Sequence, residues 1–125
     1  MNLIKALAIE EVVLTTSGFI AKMELGSFHA QPFGLVNGGA ILAFGEIVSG
    51  YASNLLSGNK YYAVGQSVSG NHLKAKKAAG LLLARGELLH NGRSSHVWDI
   101  RIEDEKGILI SHITVTNALI KEKDG

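Results

Sequence analysis

The sequence has no cysteine among its 125 residues, which excludes both disulfide bonds and a thiolate nucleophile. A reducing compartment is fully compatible with this composition. The apolar stretch at the amino end is interrupted by Glu10 and Glu11 after roughly seven residues, which is short for a secretory signal peptide. We therefore expect the protein to be cytoplasmic.

Net charge is also nearly absent. A formal net charge of +1 argues against nucleic acid and against an anionic membrane surface as partners. The five histidines are scattered along the chain and do not have the spacing of metal ligands on one element. At this length we expect one domain over 1–125, with no metal, no redox cofactor and no separate cofactor domain.

Proline occurs once, at Pro32, in a loop over 27–34 that separates two regions of different character. Apolar periodicity and turn signals predict six strands and two helices in the chain. The predicted strands are 12–14, 19–25, 61–75, 80–90, 94–104 and 108–121, and the predicted helices are 2–8 and 38–56. Hairpin signals at Asn91-Gly92 and at 104–107 make the strands that they join antiparallel neighbours. We expect the last four strands to form a meander.

Charged side chains are scarcest in the long helix, where Glu46 is the single formally charged residue between Gln31 and Asn59. The apolar run before Glu46 is too short for a membrane span, so we expect a helix enclosed by the rest of the protein. Burying an ionised carboxylate without partners costs several kcal/mol. Glu46 is therefore a candidate catalytic base or nucleophile, or else a carboxylate at an exposed edge or in a subunit salt bridge. The residues alone leave both interpretations open.

The long helix has two predicted faces. A helical wheel places small and polar residues on one stripe: Gly39, Glu46, Ser49, Gly50 and Ser53. The opposite side carries the bulky residues Ile41, Phe44, Val48, Tyr51 and Leu55. We expect the bulky side to pack on the sheet and the small stripe to admit another backbone or a ligand. Since a flat sheet would leave one side of this helix in water, either the sheet curls around it or a second subunit covers it.

The segment from Gln31 to Ala40, with Glu46 seven residues after Gly39, resembles the active-site segment of hotdog-fold acyl-CoA thioesterases. It is most similar to the PaaI-like branch with 4-hydroxybenzoyl-CoA thioesterase of the Glu type, 1,4-dihydroxy-2-naphthoyl-CoA hydrolase and the proofreading thioesterase of enterobactin synthesis. The similarity continues through most of the chain to the final strand. It implies an α+β hotdog fold, in which an antiparallel β-sheet is wrapped around one long central helix.

The resemblance also implies a catalytic set, divided between two subunits of a dimer. Glu46 matches the carboxylate that attacks the thioester carbonyl or activates water, and the backbone N–H of Gly38 matches the group that polarises the carbonyl oxygen. Gln31 matches the glutamine that orients the thioester or the water. Asn37 stands where this family usually has histidine, and its amide retains only the ability to donate a hydrogen bond. The homo-oligomer is expected to be a dimer with shared active sites, assembled further into a tetramer.

Six more residues are expected to bind substrate: His72, Ser49, Ser53, Arg93, Ser94 and Phe33. His72 and Phe33 would border the acyl group, whereas Arg93-Ser94 follows a hairpin glycine and would suit the coenzyme A nucleotide. Ser49 and Ser53 would replace the hydroxyl that this family often has at the position of Gly50. For His72 and Phe33, a purely structural role remains the alternative.

The resulting prediction is an acyl-CoA thioesterase that hydrolyses an aryl- or medium-chain acyl-CoA and needs no cofactor. Two alternatives stay open at this point. One is a non-catalytic acyl-CoA-binding hotdog protein, suggested by Asn37 and Gly50. The other is a hotdog hydratase or dehydratase, which would use a histidine with an acid, and the long helix contains no histidine.

Overall fold

The computed structural model describes residues 2–121, which form six strands and two α-helices. In chain order these are α1 (Leu3–Ala6), β1 (Val13–Leu14), β2 (Gly18–Glu24), a 3₁₀ turn (Ser27–His29), α2 (Gly38–Leu56), β3 (Tyr61–His72), β4 (Leu81–Asn91), β5 (Ser95–Asp104) and β6 (Leu109–Lys121). The predicted bounds of the long helix are confirmed. Asn37 begins it as the N-cap residue, in extended backbone conformation.

The six strands form one antiparallel sheet in the order β1-β2-β4-β5-β6-β3. Both predicted hairpins, β4-β5 and β5-β6, are confirmed. The predicted four-stranded meander is wrong for β3, which pairs with β6 from Tyr61–Lys121 to His72–Ser111. A physical reason is the long connection over 73–80, which lets the chain cross the sheet instead of turning back tightly. As a result β3 is an edge strand, and β2 lies beside β4.

The hydrophobic core lies between α2 and one face of the sheet. Phe44 and Val48 of α2 are fully buried, as are Trp98 and Ile113 of the strands beneath. Phe19 packs edge-to-face on Trp98, with the ring centroids 5.1 Å apart. This packing of one long helix on an antiparallel sheet confirms the predicted α+β hotdog architecture.

The predicted division of α2 into faces is partly wrong. Ser49 and Ser53 are completely buried, whereas Tyr51 and Leu55 are 47% and 45% exposed. The small residues face the sheet because Trp98 fills the space below them, and its indole N–H donates to the hydroxyl of Ser53 over 2.9 Å. Of the bulky residues, Ile41, Phe44 and Val48 are buried against the sheet as predicted, and only Tyr51 and Leu55 lie on the outer side of the helix.

By length and composition α2 is also apolar enough to cross a membrane, the one such helix within 2–121. The central helix of a folded domain meets the same criterion. The helix contacts all six strands, and its buried residues belong to the core described above.

Candidate active site

A cavity of about 230 Å³ opens at the amino end of α2. It is bordered by the loop before the helix, by the end of β3 and by the segment that follows β3. Its lining residues include Gln31, Gly38, Ile41, His72, Lys74 and Lys76. Three residues that the sequence marked as functional, Gln31, Gly38 and His72, are thus brought together in one chain.

Gln31 lines this cavity, and the oxygen of its side-chain amide is engaged by the loop. Its carbonyl oxygen accepts hydrogen bonds from the backbone N–H groups of Phe33 and, over 3.3 Å, Leu35. Two N–H donors at one amide atom identify that atom as the oxygen. The NH₂ group of Gln31 therefore remains available to donate to a carbonyl oxygen.

The first turn of α2 provides a second donor. The side-chain oxygen of Asn37 accepts from the N–H of Gly39 over 2.9 Å, and the carbonyl of Asn37 accepts from the N–H of Ala40 over 3.0 Å. Among the hydrogen bonds of residues 2–121, none uses the N–H of Gly38. This free N–H stands at the positive end of the helix dipole, where negative charge is stabilised.

His72 lies directly against Gly38. A Cβ atom at Gly38 would come within 2.7 Å of Nε2 of His72, so glycine is required for this close approach. The other ring nitrogen, Nδ1, is hydrogen-bonded to the hydroxyl of the buried Ser111 over 2.8 Å. Ser111 was not found from the sequence, because its pairing with His72 depends on the register between β3 and β6.

Glu46 lies outside this cavity and is exposed in the isolated chain. The helix is therefore not enclosed at this position in a single chain, and the exposure of Glu46 leaves both of its interpretations, catalytic carboxylate and exposed or subunit-bridging carboxylate, open. Glu46 follows Gly38 by eight residues, or about 12 Å along the helix axis. Its carboxylate rests against Gly65 of β3. Within one chain, then, Glu46 does not meet the donors of Gln31 and Gly38.

The remaining candidates are separated by the fold. Phe33 is 86% exposed in the loop beside the cavity. Arg93 lines a different cavity, of about 270 Å³, at the carboxyl end of α2, and Ser94 follows it in the β4-β5 hairpin. Ser49 and Ser53 are buried in the core and line neither cavity, so their predicted role in binding substrate is not supported by their positions.

The two lysines at the cavity differ in their partners. Lys76 forms an ion pair with Glu105 over 2.9 Å and donates to the carbonyl of Ala79. The hydrogen bond from the N–H of Leu81, together with that from Lys76, lowers the pKa of Glu105 from 4.5 to about 2. The contacts of Lys76 thus stabilise the segment that follows β3, whereas Lys74 is an exposed cation at the cavity.

A metal centre has no basis in the described part of the chain. Within residues 2–121, no three side chains of His, Asp or Glu gather closely enough to hold a metal ion.

Comparison with known proteins places the chain among thioesterases. Residues 33–111 match the family described as the thioesterase superfamily. A solved Lactococcus lactis protein assigned as a thioesterase is 50% identical, with a TM-score of 0.95, covering 98% of this chain and 100% of that chain. A 1,4-dihydroxy-2-naphthoyl-CoA hydrolase of Listeria monocytogenes is 32% identical over 117 residues, which are 92% of this chain and 94% of that protein.

A thioesterase of Staphylococcus aureus is informative about residues. It is 30% identical, with a TM-score of 0.85, and the match covers 96% of this chain and 99% of that chain. It has been crystallised with a glutamine replaced by alanine and, separately, with a glutamate fifteen positions later replaced by alanine. Gln31 and Glu46 are separated by the same fifteen positions.

Proposed function

Since the chain belongs to the thioesterase superfamily and is a thioester hydrolase, we propose that its substrate is an aryl- or medium-chain acyl-CoA. Glu46 acts as the nucleophile or general base, and the N–H of Gly38 polarises the thioester carbonyl. As a general base, Glu46 takes a proton from water while the water oxygen bonds to the carbonyl carbon; the carbon–sulfur bond then breaks and the CoA thiolate takes up that proton. As a nucleophile, Glu46 itself bonds to the carbonyl carbon and displaces the CoA thiolate, and water then hydrolyses the resulting anhydride, giving the thiolate its proton. The products are a carboxylic acid and free CoA.

The observation that carries this proposal is the convergence of donors in the cavity at the amino end of α2. Gly38 with its free N–H, Gln31 with its unengaged NH₂ group and His72 all line that one space. A thioester oxygen there gains negative charge as its carbon becomes tetrahedral, and preorganised donors stabilise that charge in the transition state. The amide of Asn37 has its oxygen engaged in capping the helix, so only its NH₂ group can assist.

We propose that the carboxylate reaches this cavity from a second subunit. Glu46 is exposed in one chain, and the edge strand β3 beside it leaves Tyr62 and Val64 about half exposed. An edge strand with exposed apolar side chains is suited to pairing with another chain. Pairing two copies along β3 and the outer face of α2 brings Glu46 of one protomer towards Gln31 and Gly38 of its partner. Two such dimers form the proposed tetramer.

The proposed substrate class is argued from a relative and from exposed side chains near the cavity. The Listeria relative is named as a hydrolase of a naphthoyl-CoA, which is an aryl-CoA. Phe33 is exposed in the loop that borders the cavity, and we propose that it contacts the acyl group. Lys74 beside the cavity and Arg93 in the hairpin are exposed cations that we propose for the phosphates of CoA. Ser94 would assist Arg93. We also propose a cytoplasmic location and one domain over 1–125.

The test of this function is direct. The purified protein is incubated with a panel of aryl- and medium-chain acyl-CoAs, and free CoA is followed with a thiol reagent. We expect release of CoA that falls at least about a hundredfold in Glu46→Ala, the lower range attributed to a positioned general base. The unfolding midpoint should change little, because Glu46 is exposed in the single chain.

Two results would contradict the proposal. CoA release that Glu46→Ala leaves unchanged would exclude Glu46 from the mechanism. Tight binding of acyl-CoAs without any release by the wild-type protein would exclude these thioesters as substrates. The panel also identifies the preferred acyl group, since the thiol reagent reports every substrate equally.

A further inference from the structure

Gly65, on the edge strand β3, occupies the position where the carboxylate of Glu46 touches the strand. A Cβ atom at Gly65 would lie 2.8 Å from Cδ of Glu46 and 3.0 Å from its Cγ, and closer still to Oε1. The end of the Glu46 side chain therefore fills the space that a side chain at Gly65 would take. Gly65 is absent from the glycines with positive φ, so its backbone conformation does not itself require glycine.

The strand is held against α2 at this point. The N–H of Ala63, two residues earlier, donates to the side-chain oxygen of Asn54 on α2 over 2.7 Å. The pairing of β3 with β6 is irregular between Gly65 and Ser67, so Gln66 falls outside the regular register. Such an irregularity bends a strand locally and can re-aim the groups beside it. The hydrogen bond between Ala63 and Asn54 therefore holds the backbone of β3 near Gly65 beside the helix that carries Glu46.

We propose that Gly65 is a positioning residue for Glu46, because its missing side chain lets the carboxylate lie against β3 in the orientation needed for attack. This inference rests on the proposed function, in which Glu46 is the catalytic carboxylate. A larger residue would turn the carboxylate away from the strand. The fold would tolerate that change, since the displaced group is the flexible end of an exposed side chain.

Gly65→Ala tests this inference. We expect kcat for the best acyl-CoA to fall by about a hundredfold, the scale associated with misplacing a catalytic group by about 1 Å. KM should stay within about twofold, since the donors that hold the thioester are untouched. A merely structural role would not produce this combination.

Two comparisons separate positioning from other effects. Gly26→Ala is the matched control, because a Cβ there meets no atom within 4 Å, and its kcat should stay within about twofold of wild type. Adding Gly65→Ala to Glu46→Gln completes a double-mutant cycle. If Gly65 acts through the carboxylate, adding Gly65→Ala to the Glu46→Gln variant should lower kcat by less than about threefold.

The experiment separates failure of the role of Gly65 from failure of the catalytic role of Glu46. Full activity of Glu46→Gln would remove the catalytic role of Glu46 and this inference with it. An inactive Glu46→Gln together with a folded, fully active Gly65→Ala would overturn the inference alone. Equal losses in both backgrounds of the cycle would do the same. An unfolded Gly65→Ala protein would also overturn it. The inference expects the added methyl group to displace only the side chain of Glu46 and to leave the fold intact.

Discussion

At the scale of single residues, Gly38 has two properties that matter at the amino end of α2. It offers a free backbone N–H, and it has no side chain that would meet His72. These properties can be separated experimentally. Proline lacks the N–H and also adds a Cβ atom, whereas alanine adds a Cβ atom and keeps the N–H. Proline is also well tolerated at the first position of a helix, so the backbone of α2 should accept it.

We therefore predict different losses for Gly38→Ala and Gly38→Pro. Both variants add a Cβ that displaces the ring of His72, and the proline variant alone lacks the N–H. Its kcat should be lower than that of the alanine variant by about 100- to 1,000-fold, the loss typical of one oxyanion donor. Circular dichroism and steady-state kinetics on both variants provide the comparison. Equal turnover in two folded variants would exclude the N–H from the mechanism.

His96 is a buried histidine whose protonation state is fixed by its neighbours. The hydroxyl of Ser53 accepts from the indole N–H of Trp98 and from the NH₂ group of Asn117, so its own proton is left for Nδ1 of His96. The other nitrogen of His96 then donates to the side-chain oxygen of Asn91 over 3.0 Å. Burial, with a smaller contribution from the charge of His90, lowers the pKa of His96 below 6.5.

A pH dependence of stability follows from this lowered pKa. Below pH 6.5 the unfolded chain binds a proton that the folded protein resists, so protonation favours unfolding. The free energy of unfolding should be insensitive to His96 above pH 6.5 and should fall as the pH drops below it. Urea titrations of wild type and His96→Gln between pH 5 and pH 8 check this. Identical slopes of stability against pH in the two proteins would contradict it.

At the scale of elements, α2 is held to the sheet by a polar contact inside an apolar core. Ser53→Ala would leave Trp98, His96 and Asn117 without their shared partner, and unpaired buried polar groups are costly. We predict a loss of about 2 to 3 kcal/mol in the free energy of unfolding. Ser49→Ala is the matched control, because the hydroxyl of Ser49 bonds only the carbonyl of Glu46 in its own helix.

Chemical denaturation of the two variants measures this difference. We expect Ser49→Ala to cost less than about 1 kcal/mol, as for a hydroxyl whose loss leaves no unpaired donor. A Ser53→Ala protein as stable as Ser49→Ala would mean that the cluster around Trp98 does not hold the helix.

The bounds of α2 could be predicted from the sequence, but its orientation could not. Asn37 before a run of small and apolar residues marks where the helix begins, and that signal is local. Which side of the helix meets the sheet depends on Trp98, whose bulk on β5 makes room only for small residues such as Ser53. The contact of Glu46 with Gly65 depends likewise on the placement of β3 at the edge of the sheet.

The part of the candidate site that lies in one continuous segment of the sequence could be predicted. Gln31 and Gly38 belong to one segment, and their resemblance to known thioesterases identified both. Ser111 and Gly65 come from strands whose pairing the sequence did not define, because β3 pairs with β6 across a long stretch of chain. Such tertiary contacts carry no local sequence signal.

At the scale of the whole molecule, the central claim is that each active site is built from two chains. In one chain Glu46 lies about 12 Å along α2 from Gly38 and outside the cavity of Gln31. A twofold axis relating two copies would generate two identical sites, each with Glu46 from one protomer and Gln31 from the other. Sedimentation at micromolar concentration should therefore give at least a dimer, and a monomer would contradict the shared site.

Hybrid dimers of Glu46→Gln and Gln31→Ala test this claim most directly. Each variant alone should be nearly inactive. Mixed in equal amounts by unfolding and refolding together, half of the dimers should be hybrids, each with one intact site. We expect the mixture to recover about a quarter of the wild-type CoA release, because random pairing restores one site in four. Activity no higher than that of the separate variants would show that each site lies within a single chain.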